Sequence, residues 1–155
     1  MLEDREVTWF PSYGGEMRGG TANCAVIISD ELIASPIVTN PDILIVMNDA
    51  SLQKFQPQLK QKGILIFDSS LIKNPALRND LDVLGVPATE ISSSIGYTKS
   101  ANMVLVGVLI AKTRLLEETM IFEAIEKLIT QGKKSIEMNR MAIRGGMRFF
   151  EDKKN

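Results

Sequence analysis

The sequence predicts an α/β protein, with three α/β/α layers built on a largely parallel or mixed sheet. Two apolar stretches carry that prediction. Residues 43–47 (Ile-Leu-Ile-Val-Met) and 64–67 (Ile-Leu-Ile-Phe) lack alternation, and such runs read as strands covered on both faces, as in parallel sheets. Between them Leu52, Phe55 and Leu59 recur at helical spacing. Strand, helix and strand then form the crossover unit that parallel pairing requires. A third observation is the stretch 101–114, apolar on almost every side, which must be buried by the rest of the chain or by a partner. At 155 residues the chain fits one domain, 1–155.

In chain order, 6–10 reads as a strand stopped by Pro11. Four glycines within 13–20 lead to a second β-rich run, 23–29, with Cys24, Val26 and Ile28 on one face. With no base or cation nearby in sequence, Cys24 is expected to be a small buried apolar residue. Asp30-Glu31 marks a turn, and 32–36 a short extended piece. The helix-like stretch 50–60 contains Pro57, which should kink it or end it early. Pro87 makes 81–87 an edge strand, and Gly96 closes one or two helical turns over 90–95. Ser100 is placed to cap the helix 101–114. Gly107 inside that helix costs about 1 kcal/mol against Ala, which a close approach of another element would explain. An amphipathic helix spans 117–129. A last helix starts near Lys134, is interrupted at Gly145-Gly146, and ends in a charged, frayed tail over 151–155.

Composition removes whole classes of chemistry. Cys24 is the only cysteine and there is no histidine. An internal disulfide, a self-contained iron–sulfur cluster and a Ser-His-Asp triad are therefore excluded. Net charge is −1, so neither nucleic acid nor an anionic membrane is an expected partner. The longest apolar run, 103–111, is well short of the roughly 20 residues that span a bilayer. The charged start lacks the apolar centre of a signal peptide, and the expected location is the cytoplasm.

Two stretches are candidate sites. In Tyr13, Gly14, Gly15, Glu16, Met17, Arg18, Gly19 and Gly20, the glycines permit close backbone approach. They surround one phenol, one carboxylate and one guanidinium, the materials of a docking or phosphate-facing loop; a tight surface connection is the plainer reading. Asn48, Asp49, Asp68, Ser69 and Ser70 follow the two apolar strands, at the edge where open α/β sheets bind ligands. The same residue types are also ordinary helix caps and turn formers.

The run from Val7 through Trp9, Tyr13, Glu16, Arg18 and Gly20 to Cys24 closely resembles the signature of gamma subunits of 2-oxoacid:ferredoxin oxidoreductases. The resemblance continues through Ser35-Pro36, Pro41-Asp42, Gly63, Asn102-Met103, Gly107 and Asn139 to Met147. It implies a reaction of a 2-oxoacid, coenzyme A and oxidised ferredoxin, yielding acyl-CoA, CO₂ and reduced ferredoxin. Thiamine diphosphate with Mg, and the iron–sulfur clusters, belong in this family to partner subunits (alpha, beta and in some cases delta). The chain is thus expected to bind no cofactor alone and to have no catalytic or metal-ligating residue. Met17 with Thr21-Ala22-Asn23-Cys24 looks most like 2-oxoglutarate-type chains, with branched-chain 2-oxoacid (2-oxoisovalerate) types close behind and pyruvate types less similar. A stand-alone nucleotide- or phosphate-binding module is the alternative outside such complexes. For Tyr13, Gly14, Gly15, Glu16, Arg18, Gly19 and Gly20 three readings stay open. Docking on another subunit is preferred. The others are contact of Arg18 and the Gly19-Gly20 amides with coenzyme A phosphates, and a local Glu16–Arg18 pair that only shapes the loop. Family chains also begin earlier, with a strand, a Gly-x-Gly-Gly-Gln-Gly turn and a helix. That N-terminal unit is missing here, so Met1 is read as an internal methionine or a fragment boundary. A sheet edge is then expected to be left open, to be covered by a homodimer.

Overall fold

Residues 5–13, 22–129 and 132–154 are described by the computed structural model. The two apolar runs become β3 (Ile43–Val46) and β4 (Ile64–Asp68), joined by β5 (Asp82–Val86) in a parallel sheet of order β3-β4-β5. Ile43 lies opposite Ile64, and Ile64 opposite Asp82. Alternation along each strand sends side chains to two faces. On one, Val46, Leu65 and Phe67 pack with Leu52 and Leu59. On the other, Ile66, Leu84 and Val86 pack with Val104, Leu105 and Ala142. The sheet is therefore the middle of three layers, and its central strand β4 is the most deeply covered, with Leu65 and Ile66 fully buried.

Local chemistry explains most helix boundaries. The helix α1 (Asp49–Phe55) starts at Asn48, whose side chain accepts from the Ser51 N–H. It ends where Pro57 enters a 3-10 turn, Gln56–Gln58, as a proline demands. Beyond β5, α2 (Ala88–Ser94) is followed by Gly96 at φ +82°. The helix α3 (Ala101–Thr113) is closed by Arg114 in a left-handed conformation. It is succeeded by the amphipathic α4 (Glu118–Leu128) and by α5 (Lys133–Lys154).

Five expectations are corrected. Ser100 stands at the start of α3 but makes no cap, because its hydroxyl donates to the Tyr97 carbonyl at 2.8 Å. Gly145-Gly146 does not interrupt α5, and the helix continues through 151–154 instead of fraying at Glu151. The glycines serve packing: a Cβ at Gly146 would lie 2.0 Å from the Val104 carbonyl oxygen, and one at Gly107 2.0 Å from that of Ile143. Here α3 and α5 touch backbone to backbone. Pro11 does not stop its strand either. It sits inside β1 (Glu6–Tyr13), opposite Cys24 of β2 (Ala22–Ser29). These two strands form an antiparallel ribbon separate from the parallel sheet, and a strand with one neighbour tolerates proline. Finally, Cys24 is exposed and not buried, since among the described residues no layer covers its face of the ribbon.

Candidate functional site

The ribbon carries the first candidate site. Its register runs from Glu6 opposite Ser29 to Tyr13 opposite Ala22, so Tyr13 and Ala22 mark the end to which the glycine segment is attached. Gly14, Gly15, Glu16, Arg18, Gly19 and Gly20 lie outside the described residues. At the opposite end Arg5 holds the ribbon. Its Nε is 3.2 Å from Asp30 just beyond β2, and its Nη1 donates to the Leu115 carbonyl at 3.3 Å. One ribbon face gathers Val7, Trp9 and Pro11 with Cys24, Val26 and Ile28, since residues opposed across an antiparallel pair share a face. Trp9 is 63% exposed and its partner Val26 53%. An uncharged, largely apolar face is thus turned to solvent.

The carboxyl edge of the parallel sheet is the second candidate, and several of its polar groups are engaged locally. Asn48 caps α1 at 2.8 Å, and Asp49 sits in that helix's first turn, where a carboxylate suits the helix dipole. The fully buried Asp68 accepts from the Ser70 N–H at 2.9 Å and from the Thr89 hydroxyl at 2.5 Å. Ser70 accepts from the Glu90 N–H at 3.2 Å, and the Ser69 N–H donates to Val86 at 2.8 Å. These bonds tie the end of β4 to the start of α2. They use the polar atoms as caps and staples, the plainer of the two readings open from sequence. Thr89 escaped sequence reasoning because its partner is 21 residues away, and no local pattern links them.

A shallow depression of about 270 Å³ lies between the starts of α3 and α5, lined by Tyr97, Lys99, Asn102, Met103, Ser135 and Asn139 among others. Asn139 spends its amide locally, donating to the Ser135 carbonyl at 2.9 Å. Among the described residues no group of three or more His, Cys, Asp or Glu could hold a metal ion. No helix among them is long and apolar enough to cross a membrane.

The family model for pyruvate ferredoxin/flavodoxin oxidoreductase matches residues 1–149. The chain belongs to this family. Ketoisovalerate oxidoreductase subunit VorA of Methanothermobacter thermautotrophicus is 37% identical over 147 residues, which is 93% of this chain but 30% of VorA. The chain thus spans under a third of that relative. The 2-oxoglutarate synthase subunit KorC of Methanothermobacter marburgensis is 34% identical over 141 residues, 87% of this chain and 75% of KorC. Among solved structures, the gamma subunit of a keto/oxoacid ferredoxin oxidoreductase from Geobacter sulfurreducens superposes with a TM-score of 0.82 at 23% identity. That match covers 97% of this chain and 83% of the other, and at such identity it speaks for the α/β fold.

Proposed function

We propose that this chain is the gamma subunit or domain of a thiamine-diphosphate-dependent 2-oxoacid:ferredoxin oxidoreductase, and that it contributes assembly rather than redox chemistry. The family match over residues 1–149 carries this reading. The donor inventory agrees with it. One cysteine and no histidine do not fit an iron–sulfur cluster or a histidine-assisted proton transfer, so neither is assigned to this chain. Thiamine diphosphate with Mg, the clusters and ferredoxin are assigned to partner subunits, and the complex to the cytoplasm.

In this reading the ribbon tip docks. Tyr13, Glu16 and Arg18 meet the alpha and beta subunits, and Gly14, Gly15, Gly19 and Gly20 allow the backbones to approach. A desolvated Arg18 pair would be costly to break, roughly 2–5 kcal/mol. A second role for the same residues is contact with coenzyme A phosphates, for which a guanidinium is well shaped. Substrate choice lies between two 2-oxoacids. The KorC match over 75% of that subunit favours 2-oxoglutarate, whereas the 37% identity to VorA favours a branched-chain 2-oxoacid.

Reconstitution tests each part. The chain alone is expected to be inactive. Combined with its partners, it should support ferredoxin reduction that depends on coenzyme A and one of the two 2-oxoacids. Arg18→Ala should reduce co-purification of the partners, and full assembly of that variant would count against docking. Calorimetry with coenzyme A on the assembled complex, with and without the same substitution, separates docking from phosphate contact.

A further inference from the structure

The helix α4 is held differently from its two long neighbours. Val104, Leu105 and Val108 of α3 and Ala142 of α5 belong to the core layer that covers the parallel sheet. The buried residues of α4 are Ile121, Phe122 and Ile125. They pack in a separate cluster with Ile110 of α3 and Ile143 of α5, to which no strand contributes. The backbone on either side of α4 is extended, with ψ 139° at Glu117 and 100° at Ile129, and Glu117 gives the helix no side-chain cap.

Charge clasps α4 to α5. Arg140 is paired with Glu126, and Arg144 with Glu118 at 3.5 Å. Both guanidinium groups also lie over the Phe122 ring, 5.3 and 4.9 Å from its centre. The two carboxylates are about half exposed, so dissolved salt weakens these pairs. Docking carries a penalty as well. The Arg140 Nε is sealed from solvent and finds no hydrogen-bond acceptor among the described residues, whereas an undocked α4 would leave it free to hydrate. Three buried side chains and two screened ion pairs place α4 at the low-stability end of the fold, where an element opens without global unfolding. Leu128, the last residue of α4, and the following Ile129 wall one side of the depression lined by Lys99, Asn102, Ser135 and Asn139. We infer that α4 is a salt-sensitive lid. It lifts from α5 as one unit while α3, α5 and the sheet stay folded, and lifting it removes that wall of the depression.

Hydrogen exchange of the full chain, read by mass spectrometry on peptides covering 121–128, tests the lid. In about 0.1 M KCl these amides should exchange at least tenfold faster than those of α3 and β4. In about 1 M KCl their rate should rise threefold or more relative to α3 and β4, because the screening length shortens from roughly 10 to 3 Å. Phe122→Ala should speed the α4 amides together, by tenfold or more, and leave β4 unchanged. Glu118→Gln with Glu126→Gln removes the ion pairs but keeps the apolar seat, and should give the high-salt rate at low salt with no further response to KCl. Exchange of α4 at the rate of α3 overturns the lid. So does a Phe122→Ala variant in which β4 is speeded as much as α4, or in which only the amides beside position 122 respond. A salt response that survives the double substitution overturns the ion-pair clasp and with it the salt-sensitive device.

Discussion

Arg78 shows how a single side chain holds the loop before β5. Its Nη1 donates to the carbonyls of Gln56 and Leu59 at 3.0 and 2.7 Å, while its Nε and Nη2 grip both oxygens of Asp80 at 3.0 and 2.6 Å. Arg78→Ala leaves the Leu59 carbonyl without this donor, while the Gln56 carbonyl keeps the Leu59 N–H, and it should destabilise by about 1–3 kcal/mol in urea unfolding. Asp80 feels the same contact in its titration. The hydrogen bond from Arg78 holds its carboxyl below the ordinary carboxylate range. A lowered acid stabilises the fold above its unfolded value and ceases to do so as pH falls through its folded one. The midpoint of urea unfolding should therefore fall as pH is taken below about 4, and Asp80→Asn should remove that component. None of this was legible in the sequence. Asp80 is only two residues from Arg78, but the two carbonyl partners are 22 and 19 residues away, and an engaged pair of opposite charges looks the same in one dimension as a solvated one.

Among the elements, the α3–α5 contact is decided by two glycines. Helix propensity marks Gly107 and Gly146 as weak points, each about 1 kcal/mol worse than Ala. Packing reverses that ranking, because a Cβ at either position would stand 2.0 Å from a carbonyl oxygen of the facing helix. Gly146→Ala should cost about 3 kcal/mol or more, since overpacking against backbone has no rotamer escape. Gly96→Ala makes the contrast: its φ is +82° with open space around it, so the cost should be the smaller, roughly 1–2 kcal/mol, of a left-handed alanine. Thermal or urea melts of the two variants rank these effects. A close approach at Gly107 was foreseeable, as nothing else explains a glycine inside so apolar a helix. At Gly145-Gly146 the same residue type read as a break, because the facing helix that needs the space is remote in sequence.

For the molecule as a whole, β3 and β5 are edge strands with one hydrogen-bonded neighbour each among the described residues, and open edges invite pairing. Self-association of the isolated chain along such an edge is the expected outcome in multi-angle light scattering; a monodisperse monomer would count against it. The sequence by itself determined the parallel β3–β4 pair, the edge position of β5, the turn made by Pro57 and the burial of α3. It also excluded cluster and histidine chemistry. Each follows from local pattern or inventory, since a run's periodicity or a missing residue type needs no neighbour to be read. Only the tertiary structure decided that Cys24 faces solvent, that Pro11 continues a strand, that Asp68 is a staple to Thr89, and that α5 is unbroken. Those outcomes depend on what lies across from a residue. The ribbon's apolar face resembles a core face in one dimension, and the exposure of Trp9, Val26 and Cys24 becomes visible only when the chain is folded.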